Sequence, residues 1–238
     1  MKIIKEIKTK KEIEDLEDYK KYAGPKESCQ WKDDHSAKEF ARKVIDGSFE
    51  RDMKELFGEN LVIDEVYPEK EVKFDSCGGG KRNHDLACIA QLNGEKIAIC
   101  VEAKATEPFG DKTTGDYYDD AKKNNKSKVP DRIEKICKRL WDNKQLDEQI
   151  KEIEYQLLTA MAGTIAYGNQ QKVTKKYFVV YQLETAKTTK DLIESNKEAI
   201  NNFLLKFGIN KKIENNEIVK LKDDKEWYLV YVQREKAK

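Results

Sequence analysis

The stretch HDLACIAQLNGEKIAICVEAKA, His84 to Ala105, sets Asp85, Glu102 and Lys104 among small and apolar residues. It reads as two strands joined at Asn93-Gly94, the strongest short-range signal for a two-residue type I′ turn, because both turn positions need positive φ. With only Asn93 and Gly94 in the loop, Leu92 faces Glu95, and stepping outward sets Asp85 directly opposite Glu102. Side chains alternate along a strand. Lys104, Ala87, Ala98 and Cys100 therefore share the face of the two acids, while Leu86, Cys88, Ile97, Ile99 and Val101 form an apolar face suited to a helix. A bulge within the hairpin would break this register.

Facing carboxylates repel, and folding alone gives no reason to keep them so. A cation would. Hard divalent ions such as magnesium take carboxylate and carbonyl oxygens and keep several waters, so two facing acids make half of a site, and an adjacent lysine can orient a water. The plain alternative is a hairpin at a sheet edge whose charges are solvated. The acid-x-Lys tripeptide by itself carries no weight, since Glu6-Ile7-Lys8, Asp52-Met53-Lys54, Glu71-Val72-Lys73 and Asp120-Ala121-Lys122 also match it. Only Glu102-Ala103-Lys104 ends a continuous apolar strand with an acid set opposite by an independent turn argument.

Asp85, sixteen intervening residues and then Glu102-Ala103-Lys104 resembles the PD-(D/E)XK superfamily of restriction-endonuclease-like nucleases. The runs VEAKATEPFG and EYQLLTAMAGTIAYG are similar to those of a prokaryotic branch of it, and the resemblance spans roughly Trp31 to Tyr181. It implies an α/β fold with a central mixed β-sheet flanked by helices, around an αβββαβ core. It also implies that Asp85, Glu102 and the backbone carbonyl of Ala103 bind Mg2+, with Mn2+ as a substitute, while Lys104 orients the attacking water. Two departures stand out. The superfamily's leading proline is His84 here, and Gln156 is followed four residues later by Ala160 where some branches carry tyrosine.

At 238 residues the chain fits one domain over 1–238, with an N-terminal helical extension over 1–30. Charged residues make up 38% of it with a net charge of +1, so a global basic field is excluded and any nucleic-acid footprint must be local. Cys29, Cys77, Cys88, Cys100 and Cys137 show no C-x-x-C spacing and read as reduced thiols. Charge interrupts the N-terminal run MKIIKEIKTKK, so neither a signal peptide nor a membrane span is expected, and the expected location is the cytoplasm. A homodimer is compatible with this reading.

Along the chain, MKIIKEI reads as a short strand. Thr9-Lys10-Lys11-Glu12 is a capping-box signature for a helix to about Tyr22, and a second helix fits Ser36 to about Phe57 despite Gly47. Strands are expected at LVIDEVY and EVKFD, then the hairpin, then a long loop over 106–130. Helices follow at about 131–141 and 147–167, then the strand KYFVVYQL, a helix at about 188–207, and the closing strands NEIVKL and EWYLVYVQ.

Four cations are candidates for phosphate contact. Lys81 and Arg82 lie in CGGGKR, which also reads as a flexible loop. Arg132 and Arg139 fall with Lys135 at helical spacing, which an exposed polar face explains equally well. The lysines between Lys122 and Lys128 are offset by Asp116, Asp119 and Asp120. His84 adjoins the acids, and Glu39 or Glu55 could add a further one from a helix. The expected activity is in-line attack of water on phosphorus in DNA, in endonuclease mode, with Lys104 beside the developing charge. The competing expectations are a non-catalytic nucleic-acid-binding or interaction module with the same fold, and an RNA-directed nuclease.

Overall fold

The turn at Asn93 and Gly94 forms as the residue types require, with φ of 52° and 81°. The strands it joins, β4 (Arg82–Leu92) and β5 (Glu95–Lys104), pair antiparallel from Leu92–Glu95 out to Leu86–Val101, in the register read from the sequence. They form the centre of the computed structural model, which describes residues 1–4, 11–25, 30–110, 112–124, 126–142 and 146–236. Its other strands are β1 (Lys2–Ile3), β2 (Leu61–Val62), β3 (Glu65–Val72), β6 (Lys175–Glu184), β7 (Glu217–Lys222) and β8 (Lys225–Glu235). The helices are α1 (Leu16–Ala23), α2 (Ser36–Ile45), α3 (Ser48–Phe57), α4 (Thr114–Lys122), α5 (Val129–Trp141), α6 (Glu148–Lys151), α7 (Tyr155–Gln170) and α8 (Lys190–Lys206).

Among the described residues the strands make one mixed sheet of eight, ordered β1-β3-β4-β5-β6-β8-β7, with β2 pairing β4. β3, β4 and β5 run antiparallel in turn, whereas β5 with β6, and β6 with β8, run parallel. The protein is thus α/β, with a mixed central sheet flanked by helices. Alternation along β5 sends Ile97, Ile99 and Val101 into a core with Phe40, Val44, Phe49 and Met53 of α2 and α3. Ala98 and Cys100 go into a second core with α5, α7 and α8, through Ile136, Leu158, Met161 and Phe203. The small residues beside the acids therefore leave no open space, because α7 packs on them. Its whole run from Leu157 to Gly168 is buried, which is why it carries alanines and glycines where helices with one wet face carry charge.

Several expected boundaries move. The first helix begins at Leu16, where Asp15 accepts the Asp18 N–H at 2.8 Å. Thr9 and Lys10 lie outside the described residues, and Glu12 bridges to Ile4. The helix expected over 36–57 breaks in two because Gly47 turns left-handed, φ 76°, and the Asp46 carboxylate takes the Ser48 N–H. LVIDEVY divides between β2 and β3, and β3 runs on through Pro68 into EVKFD. The expected loop over 106–130 contains α4, held by a capping box between Thr113 and Asp116. That helix buries only Thr114 and Gly115, so the sequence shows no apolar period there. The helix expected over 147–167 is two, α6 and α7. Cys77, Cys88, Cys100 and Cys137 are free thiols and Cys29 lies outside the described residues. Among the described residues no helix is long and apolar enough to cross a membrane.

Candidate active site

The β4–β5 ladder stops at Leu86–Val101. Beyond it β4 pairs with β3, down to Arg82 opposite Val72, while β5 continues on β6 to Lys104 opposite Gln182. The sheet opens between them, and Asp85 and Glu102 stand one step past the last pair. Asp85 reaches into the opening, where its Oδ2 accepts the Ala103 N–H at 2.6 Å. The β3 residue that meets Asp85 is Glu69. The ladder pairs Pro68–Leu86 and Lys70–His84 flank this position, and Glu69 has a φ of 48°. Left-handed backbone at a non-glycine residue is sparsely populated and clusters at functional sites. It inverts the alternation here: Val66 packs with α2 and α3, but Val72, six residues on, packs with α7.

The inversion also redirects His84. Its ring is fully buried, and a Cβ on Gly163 of α7 would lie 2.6 Å from its Nε2. Burial and the nearby Arg82 hold its pKa well below the usual histidine range, and neither ring nitrogen has a partner among the described residues. His84 does not line the cleft.

Glu102 and Lys104 are 3% and 4% exposed. Lys104 Nζ lies 3.2 Å from Glu102 Oε1, donates to Gln156 Oε1 at 2.8 Å, and sits 5.3 Å over the Phe109 ring. Gln156 Nε2 donates to Glu102 Oε1, and Arg82 Nη2 donates to Glu102 Oε2. Gln156, on the first turn of α7, thus ties the acid to the lysine. Without a tyrosine four residues on, the sequence around Gln156 assigns it no role. The available signal is an amide at the head of a helix otherwise buried all round. Asp85 is pushed well above the usual carboxylate range, by burial first, then by Glu102 and Glu69, against the Ala103 N–H and Lys104.

These groups floor a cleft of about 1260 Å³, whose lining includes Glu69, Asp85, Glu102, Lys104, Gln156 and the cations Lys81 and Arg82. Neither Glu39 nor Glu55 lines it. Glu39 is buried on the Asp34 N–H and Arg42, and Glu55 lies near Arg234. Lys81 pairs with Glu71 at 2.7 Å. Arg132 pairs with Asp75 at 2.7 Å and donates to Gly80 O, and Arg139 donates to Phe74 O, so both arginines hold the segment that leads into β4. A Cβ on Gly79 would lie 2.2 Å from Arg132 Nη2. The glycine-rich run is therefore a loop wrapped on that guanidinium.

Among the described residues no group of three or more His, Cys, Asp or Glu side chains is arranged to hold a metal ion. The donor chemistry at the opening still fits a hard divalent cation: Asp85 and Glu102 offer carboxylate oxygens from adjoining strands, and burial, then the neighbouring acids, outweigh the Ala103 N–H and Lys104 in disfavouring the Asp85 charge. The cations that Glu102 meets here are Arg82 and Lys104.

Over residues 12–236 the chain matches the model of DUF6946, described as a domain of unknown function, and it belongs to that family. No curated protein and no solved structure matches it.

Proposed function

We propose that this protein is a metal-dependent nuclease that hydrolyses phosphodiester bonds in DNA, built on a restriction-endonuclease-like core. With β2 and α4 to α6 as insertions, the order α3, β3, β4, β5, α7, β6, with β3 to β5 antiparallel and β6 parallel to β5, supports the αβββαβ reading. The observation that carries the function is Lys104. A buried ammonium held 3.2 Å from Glu102 and 2.8 Å from Gln156, beside Asp85, on the floor of an open cleft, is costly to desolvate, and folding supplies cheaper ways to fill such a place.

Asp85, Glu102 and the Ala103 carbonyl would hold Mg2+, or Mn2+ in its stead. When bound, the ion supplies charge neutralisation at phosphorus and lowers the pKa of water. The chain's own groups do the rest. An ammonium has three donors. Lys104 directs one to Gln156 and one toward Glu102, and a third is free to orient the attacking water and meet the charge that builds on phosphate oxygens. Gln156 fixes Lys104 and Glu102 relative to each other. Lys81 and Arg82, on the cleft wall, draw in the phosphodiester backbone.

A second reading has its own observation: Glu102 is already satisfied by Arg82, Gln156 and Lys104. That favours a non-catalytic nucleic-acid-binding module retaining the fold. Incubation of the purified protein with plasmid and linear DNA, in Mg2+ or Mn2+ and with or without EDTA, separates the two. Cleavage that EDTA abolishes is expected. Binding without cleavage in either metal selects the module.

A further inference from the structure

A second cleft, of about 490 Å³, adjoins the first, and Lys81, Arg82, Asn83 and Gln156 line both. Its chemistry is different. Where the first is acidic at its floor, the second is walled by the rings of Phe109, Tyr117 and Tyr155, with Lys112 and Arg132 at their sides. Tyr117 and Tyr155 stack at 4.2 Å between centroids and 25° between planes. Tyr155 is half-buried against the core below, but Tyr117 is 40% exposed, the one aromatic among the four exposed large apolar side chains of the described residues. Lys112 lies 5.6 Å over its ring. This pair opens into a cleft bordered by cations.

Aromatic rings beside lysine and arginine fit a flat π-system joined to an anion, and the shared wall says where the anion goes. A strand whose phosphate lies against Lys81 and Arg82 of the shared wall would pass its neighbouring base over Asn83 and Gln156 into the aromatic cleft. A paired base inside a duplex cannot reach such a pocket without leaving its stack. We infer that the second cleft binds an unpaired nucleobase, with Tyr117 as its stacking platform, and that the preferred substrate is single-stranded DNA. The path of the strand and the substrate preference rest on the nuclease reading, whereas the base site itself rests on the aromatic cleft and its cations.

The test is fluorescence anisotropy in EDTA with three labelled probes: a single-stranded oligothymidylate, the same oligomer carrying abasic residues, and a blunt duplex. Wild type, Tyr117→Ala and Tyr117→Trp are compared, with thermal melting to confirm folding. Single strand is expected to bind more tightly than abasic strand or duplex. Tyr117→Ala should weaken single-strand binding about tenfold, and Tyr117→Trp should retain it, which keeps the test open if the alanine variant does not fold. Equal affinity for single and abasic strands, or wild-type affinity in Tyr117→Ala, overturns the site. Tyr117-dependent single-strand binding with no cleavage in Mg2+ or Mn2+ upholds the site and removes the nuclease reading. Metal-dependent cleavage with binding indifferent to Tyr117 does the reverse.

Discussion

Arg82 Nη2 donates to Glu102 Oε2 across the gap where β4 and β5 part. The guanidinium thereby neutralises the acid that a metal ion would need, and the two cations would compete for one carboxylate. Arg82→Gln keeps a donor and removes the charge. Mn2+ affinity, measured by calorimetry, should rise several-fold, while stability without metal should fall by about 1–3 kcal/mol as Glu102 loses a charged partner. Equal Mn2+ affinity in the two proteins shows that Arg82 does not compete.

Lys104→Ala removes a cation beside the acids while leaving both carboxylates in place. Metal binding should persist or tighten, and cleavage should fall by about a hundredfold or more, the size of loss seen when one preorganised charge-stabilising donor is deleted. A lysine with only a packing role would leave the rate unchanged. Calorimetry and a cleavage assay on one preparation check both halves. Cleavage at the wild-type rate removes Glu102-Ala103-Lys104 as the active tripeptide.

Asp85→Asn should stabilise the metal-free protein at neutral pH. The amide oxygen still accepts the Ala103 N–H, and the charge disfavoured by burial, then by Glu102 and Glu69, is gone. The sign follows from the raised carboxyl: between its unfolded and folded pKa values the native chain binds more protons than the unfolded one, so wild-type stability falls as pH rises through that window. The stability difference, Asn minus wild type, should therefore grow from pH 4 upward in urea denaturation with EDTA present. A flat difference excludes the raised carboxyl.

Gly163→Ala sets two opposing effects against each other. In an open helix interior alanine is favoured over glycine by about 1 kcal/mol. Here its Cβ would lie 2.6 Å from His84 Nε2 and 2.9 Å from Arg82 Cγ, and overpacking costs about 1–3 kcal/mol. Net destabilisation is expected, and it should shrink when the same change is made in a His84→Ala background. Stabilisation in the wild-type background means the α7–β4 approach is looser than described.

The hairpin was legible because its cues are local. Asn93-Gly94 admits few loops, and once the loop is set, period-two alternation places every side chain from Leu86 to Val101. α4 was not legible, since a capped helix with two buried residues leaves no period to read. The break at Gly47 was visible as a glycine, but whether it bends a helix or sits within one depends on Asp46 capping Ser48. Arg132 and Arg139 read as an open basic face, and only the folded segment 74–80 shows what holds them.

The sequence by itself determined the sheet's centre, the register that brings Asp85 toward Glu102, and the place of Glu102-Ala103-Lys104 at the end of an apolar strand, because each rests on contacts between residues near in the chain. Tertiary structure decided what surrounds them. Gln156 lies 54 positions from Glu102, and no local pattern reports that α7 docks its first turn there. Glu69 turns left-handed against Asp85 although nothing in its residue type favours it, so that inversion comes from the packing of β3 against two opposed cores. Arg82 reaches Glu102 only because the strands part after Leu86–Val101. Such choices are set by the summed burial and electrostatics of groups far apart in the chain, and a linear sequence does not show those groups side by side.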